Sequence, residues 1–517
     1  MRRLTTLHTH IRTASQTAET TQTTSIRTAS QNTQTTQTTP TKPKRWTVRV
    51  AIAASVCMHM GIVLRLPAQA RDLGPAMRPF VSIDAPIVAL THARLVDGTG
   101  TPARDDQTII IRGETISAVG KTGTVAVPAD ARVVDLTGKT VIPGLIGLHD
   151  HMYYGGMRFM GVSYPRLFLS AGVTTIRTTG SVDAYQELNL KRRIDSLQIP
   201  GPSIVVTGPY LQGPGQGPGT MKPLAGPDDA RRMVRYWAEE GVTWFKAYTQ
   251  ISRAALGAAI DEAHKHGVKV TAHLCSVGFR EAVALGIDQL EHGLLANTEY
   301  YSGKQPDACP TVGDSVLYFN LDIQGADVQR TFQEMVKHNV AMTSTLDVFE
   351  IGSPSRVPFD QRVLDALEPS QSAQIATFYN SGKTANDAAH RATLKKAMEF
   401  ERAFVKAGGL LGAGSDPCCV SAIAGYGDQR NFELLVEAGF SPEQTVQIMT
   451  ANGAKILGFD KRVGTVAAGM QADLVVIAGD PVRTAADIRK VETVFRRGVG
   501  FDSAKLRDSI KGLVGLR

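Results

Sequence analysis

The chain has 517 residues, 43% hydrophobic and 20% charged, with a formal net charge of +8 and a pI near 9.2. That length excludes one compact core and predicts several domains. A basic chain suggests a nucleic-acid partner, but the distribution excludes it: residues 1–70 hold nine Lys/Arg and one acid, and the remainder carries 47 basic and 47 acidic side chains.

The leader comes first. Residues 1 to about 40 form a Thr/Gln/Ser tract with too little apolar surface to fold. "KPKRWTVR", the apolar run "VAIAASVCMHMGIVL" and Ala68-Gln69-Ala70 then match a secretory signal cleaved after Ala70. The competing reading is a membrane anchor, but the run is short of the roughly 20 residues needed to span. The expectation is an exported protein, periplasmic or secreted, with no stable membrane span once mature. In an oxidising compartment Cys309 could pair with Cys418 or Cys419; buried free thiols are the alternative.

From residue 86 the pattern is all-β, with "PIVALTHARLVDG", "DQTIIIRGETISAVG" and "ARVVDLTGKTVIPG" as strands between turns. The style returns in "RVGTVAAGMQADLVVIAGD" and "VETVFRRGVG". Residues 71–141 and 456–517 are therefore expected to build one small β-sandwich from both chain ends. Between them, residues 142–455 alternate eight apolar strands ("GLIGLHDH", "GVTTIRTTG", "SIVVTG", "VTWFKAY", "VKVTAHL", "IDQLEHG", "VAMTSTL", "GLLGAGSD") with helix-compatible segments. The fold class expected is α/β, a (β/α)8 TIM barrel.

Three His-x-His triplets occur, at His8/His10, His149/His151 and His264/His266. Residues two apart share one face of a strand and diverge by about 200° on a helix. His264 and His266 end "AALGAAIDEAHKHG" and read as a helix terminus, and His8/His10 lie in the leader. Only His149 and His151 end a strand. At the C-terminal ends of later strands stand Lys246, His273, His292 and Asp416, where a barrel gathers its chemistry. Imidazole and carboxylate suit zinc first, with nickel, cobalt or manganese as alternatives.

The set His149-x-His151, Lys246, His273, His292 and Asp416, with the tail "TANGAKILGFDKRVGTVAAGMQADLVVIAGDP", resembles the amidohydrolase superfamily in its binuclear form. It is most similar to the imidazolonepropionase-related branch that includes prolidase-like dipeptidases. The resemblance implies two divalent ions, zinc first, with His149, His151 and Asp416 on one and His273 and His292 on the other. It also implies that Lys246 is carbamylated by carbon dioxide and bridges the ions, and that Asp416 is the catalytic proton shuttle for a metal-bridging hydroxide. The activity implied is cleavage of an amide in a small molecule such as a dipeptide or N-acyl amino acid. Lys246 argues against imidazolonepropionase activity itself, which uses a mononuclear site. Lactone, ester or phosphoester hydrolysis, a catalytically silent binding barrel and, more distantly, a redox role for Cys418-Cys419 stand as alternatives.

Two long loops, "PYLQGPGQGPGTMKPLAGP" and "LLANTEYYSGKQPDACPTVGDSVLYFN", are candidates for substrate recognition. Tyr248, on the strand face of Lys246, could bind a substrate carboxylate or carbonyl, and Arg177 could pair with an anionic substrate end. Asp150, Thr271, Glu291 and Ser415 are neighbours of the ligand positions. A homo-oligomer stays open.

Overall fold

The computed structural model describes residues 71–153, 160–215, 221–313, 317–318, 320–382, 386–417 and 422–515. His8/His10, the apolar run, the cleavage site and Cys418/Cys419 lie outside them. Among the described residues no helix is long and apolar enough to cross a membrane.

The chain ends meet in one sheet. Strands β1 (Val81–Ile83), β2 (Ile87–Leu95), β3 (Arg104–Arg112), β4 (Thr115–Lys121), β5 (Arg132–Asp135) and β6 (Thr140–Pro143) come from the first part of the described chain. Strands β15 (Leu474–Ile477), β16 (Val491–Arg496) and β17 (Val499–Asp502) come from the last. The order is β1-β17-β16-β15-β6-β2-β3-β4, with β5 paired to β2. The two ends join where β6 pairs antiparallel with β15, Val141 opposite Val476, and where β1 pairs with β17, Val81 opposite Phe501. The expected sandwich is thus a single nine-stranded hydrogen-bonded sheet. Ile83, Leu90, Ile109, Leu474 and Phe495 pack together in its core, because alternation places them on one face.

The middle is mixed α/β. Parallel strands β7 (Leu145–Asp150), β8 (Val173–Thr178) and β9 (Ser203–Val205) form one sheet. Parallel strands β10 (Trp244–Ala247), β11 (Lys269–Ala272), β12 (Gln289–Glu291), β13 (Ala341–Ser344) and β14 (Leu411–Ala413) form a second. All eight expected strands are present. Most are buried throughout, which is why they read as continuous apolar runs.

The two sheets meet at both edges without a continuous ladder. On one side Thr207 bridges Trp244, and Leu211 bridges Ala247. On the other, the Asp416 N–H donates to the His149 carbonyl at 2.7 Å. Gly414 permits this second approach: a Cβ there would stand 2.3 Å from the His149 nitrogen. The strands therefore end in a common region, and that region carries the polar side chains.

Candidate metal centre

The six side chains reach the centre from the ends of five strands. His149 lies within β7 and His151 just past it; Lys246 lies within β10; His273 follows β11, His292 follows β12, and Asp416 follows β14. His149, His292 and Asp416 offer ligand atoms that all lie within 4.8 Å of one another. His151 Nε2–H donates to Asp416 Oδ1 at 2.9 Å, and His149 Nε2 is 3.5 Å from Asp416 Oδ2. The His273 and His292 rings are 4.3 Å apart between centroids, and His149 and His292 4.4 Å. Lys246 Nζ donates to His149 Nε2 at 3.2 Å. All six expected positions are thus brought to one place, although the tightest trio cuts across the division into two ion sets.

The outer nitrogens explain which atoms face inward. His149 Nδ1–H donates to Glu291 Oε2 at 2.8 Å, and His292 Nδ1 pairs with Thr345 Oγ1 at 2.8 Å. With Nδ1 engaged, each ring turns its Nε2 to the centre, and the buried His292 Nε2 has no hydrogen-bond partner. Burial, and then Lys246, holds the His149 imidazole down to about 4 and His273 down to about 3. Burial and the neighbouring His273 hold His292 well below its usual value. Burial opposes ionisation of Asp416, but His149 and His151 outweigh it and keep the carboxyl well below the usual range. The neutral imidazoles of His149, His273 and His292 around an ionised carboxylate, with one donor nitrogen lacking a hydrogen bond, are the donor set a divalent cation takes.

Two of these residues sit in left-handed backbone, His292 at φ 62° and Asp416 at φ 44°. Non-glycine residues there cost on the order of 1–3 kcal/mol and persist where surrounding contacts over-determine them. Here those contacts are Thr345 on the His292 ring and His149 on the Asp416 backbone.

Arg177 is a correction. It does not reach the mouth of the site for a substrate anion: its side chain is fully buried. Its guanidinium donates to Glu291 Oε1 at 2.6 Å and Gln289 at 2.5 Å, and stacks 4.4 Å over Trp244. Thr271 donates to the same Glu291 oxygen. Burial would raise the Glu291 carboxyl, but Arg177 and His149 hold it well below its ordinary value. Arg177 therefore neutralises the carboxylate that orients His149. Sequence reasoning noted Glu291 and Thr271 only as neighbours and missed Gln289 and Thr345; alternation along β12 places Gln289 and Glu291 on one face, a signal that was available.

Tyr248 is half-buried, its ring 5.1 Å from His273 and 5.4 Å from Tyr210. Asp150 is buried and accepts from Ser415 Oγ at 3.1 Å. The other triplet behaves as expected: the helix Arg253–Lys265 is capped by Ser252 and ends at His264 and His266, where His264 Nε2 is 3.0 Å from Asp288. The cysteine expectation is corrected as well. Cys309 is disulfide-bonded to Cys275, whose Cα lies 5.0 Å away.

The Amidohydrolase family model matches residues 140–499. Imidazolonepropionase of Vibrio cholerae serotype O1 is 24% identical over 423 residues, spanning 75% of this chain and 91% of that protein. Imidazolonepropionase of Acinetobacter baumannii is 33% identical over 107 residues, 19% of this chain and 27% of that one. Among solved structures, a candidate prolidase from Bifidobacterium longum is 27% identical with a TM-score of 0.61, covering 82% of this chain and 98% of its own. A bottromycin amidohydrolase has a TM-score of 0.63 at 19% identity, covering 86% of this chain and 96% of its own, a likeness of fold. With the match extending over well more than half of the sequence, the chain belongs to the amidohydrolase family and is a hydrolase of carbon–nitrogen bonds.

Proposed function

We propose that the protein is an exported binuclear-metal amidohydrolase that cleaves the amide of a small substrate, a dipeptide or N-acyl amino acid. The observation that carries this reading is the convergence of His149, His292 and Asp416 within 4.8 Å, with Lys246 3.2 Å from His149. In this reading β7–β14 form a (β/α)8 barrel over residues 142–455, and residues 71–141 and 456–517 form the accompanying β domain.

His149, His151 and Asp416 would hold one ion and His273 and His292 the other, with Lys246, as a carbamate, the residue that would serve both. Lys246 is fully buried, next in sequence to Phe245. Zinc is the first choice for this nitrogen and oxygen donor set. When bound, the ions supply a Lewis acid for the substrate carbonyl and a nucleophilic water at neutral pH. Asp416, whose carboxyl is held ionised, would serve as the proton acceptor at the centre and the donor to the leaving nitrogen. Tyr248, beside His273, orients the substrate carbonyl or carboxylate. The half-buried Cys275–Cys309 disulfide supports an oxidising compartment, in keeping with cleavage near Ala70.

The testing experiment is amine release from a panel of dipeptides and N-acyl amino acids by mature protein, with and without added zinc. Zinc-dependent release is expected. The same centre suits lactones, esters and phosphoesters. Turnover of those alone would replace the amide reading, and no turnover from protein holding two ions would leave a binding role.

A further inference from the structure

The disulfide joins the two segments that follow β11 and β12, and each of those segments begins at a candidate ligand. Cys275 is two residues past His273, and Cys309 lies in the long loop that starts after His292. Around the bridge, Thr298 Oγ1 donates to the Cys275 carbonyl at 2.6 Å, and Lys304 Nζ to the Ser276 carbonyl at 2.6 Å. The Arg253 N–H donates to Asp307 Oδ1 at 2.7 Å, and the Arg280 N–H to Glu299 at 2.9 Å. On its other side the turn after His273 is held by the end of β10 and the residues past it: His273 N–H donates to the Ala247 carbonyl at 3.0 Å, and Ser276 N–H to that of Thr249 at 2.9 Å.

Near the bridge itself, the Arg253 and Asp307 side chains are 42% and 36% exposed, and such rim pairs contribute about 0–1 kcal/mol. The bridge is therefore the one covalent connection between the His273 turn and the loop after His292, added to the hydrogen bonds from Thr298 and Lys304. His149 and Asp416 have no share in it, since they meet directly through the Asp416 N–H.

We propose that Cys275–Cys309 is a reducible clamp that keeps His273 and His292 in mutual register, so that the redox state of this bond sets the occupancy of the second ion. The inference rests on the binuclear reading above. Both cysteines are half-buried, which leaves the bond open to a small reductant. A phosphine reductant breaks the S–S bond with two electrons: each sulfur becomes a thiol by taking a proton, and the phosphine takes up the oxygen of one water as its oxide. The two segments are then joined by the Thr298 and Lys304 hydrogen bonds alone and gain freedom relative to one another.

The test compares three forms of the full mature chain: oxidised, phosphine-reduced, and the Cys275→Ser/Cys309→Ser double variant without reductant. Metal stoichiometry is measured after dialysis against graded zinc, with hydrogen exchange of residues 273–278 and 297–309 followed in parallel. The oxidised form should keep two ions, while the other two keep the first and bind the second about tenfold or more weakly, a typical cost of losing a ligand's support. Exchange in the two segments should quicken in both forms, and re-oxidation should restore the reduced one. Equal second-ion affinity in the oxidised chain and the double variant overturns the clamp, as does finding free thiols at 275 and 309 in the native protein. If the oxidised chain holds a single ion, the binuclear reading fails; exchange then decides the clamp alone, and unchanged exchange overturns it.

Discussion

His149 Nδ1 donates to Glu291 Oε2 at 2.8 Å, and both side chains are fully buried. One carboxylate thus fixes the ring that presents Nε2 to the centre, and Arg177 on its other oxygen keeps that carboxylate charged. Glu291→Gln retains the shape and loses the charge. Metal affinity is expected to fall about 10–100-fold with the fold intact, measured by chelator competition. Unchanged affinity would show that the carboxylate does not tune His149.

Arg177→Met separates a supporting role from a substrate-binding one. Removing the guanidinium leaves Glu291 as a buried, uncompensated charge, a cost of about 3–5 kcal/mol. Urea denaturation should show that loss, and adding Glu291→Gln should recover part of it. A variant of normal stability with a raised KM would return Arg177 to the substrate.

Lys246 and Asp416 should fail differently. Lys246→Ala is expected to bind fewer ions while circular dichroism stays native. Asp416→Asn should hold at least one ion and lose turnover by about 10²–10⁴-fold, the range associated with a lost general acid–base group. Equal metal loss in both variants would make Asp416 only a ligand.

The His264→Ala/His266→Ala variant is the counterpart. The His264–Asp288 pair is at the surface, with the histidine side chain 44% exposed, so stability should change by about 0–1 kcal/mol. Metal content should be unchanged. Abolished binding would place the metal at this triplet instead of at His149 and His151.

Glu401 gives a pH signature independent of the metal. It is buried in the helix Asp387–Lys406, and burial pushes its carboxyl up to about 8. The folded state therefore keeps a proton that the unfolded chain releases above 4.5. Stability linked to this group is present below 4.5 and is lost as pH rises towards 8. Glu401→Gln should match the parent near pH 4 and gain on it by about 1.4 kcal/mol per pH unit up to that value. Parallel denaturation profiles for the two proteins would refute the buried-proton account.

The eight inner strands and the six positions His149, His151, Lys246, His273, His292 and Asp416 were legible from the sequence alone. The reason is local: period-2 patterning and apolar runs mark a strand wherever it packs, and a polar residue ending such a run stands out against it. The terminal segments were equally legible as strands, but their union into one nine-stranded sheet depended on β6 meeting β15 across more than 300 residues. Partnership was what the tertiary structure decided. Arg177 looks the same in sequence whether it meets a substrate anion or Glu291, and Cys309 can pair with any cysteine the chain brings near. Long-range pairing is set by which surfaces the packed strands bring within 3 Å of each other. That is why Arg177 became the counter-ion beneath His149, Cys275 the partner of Cys309, and His292 and Asp416 could be held in left-handed backbone that no local propensity would predict.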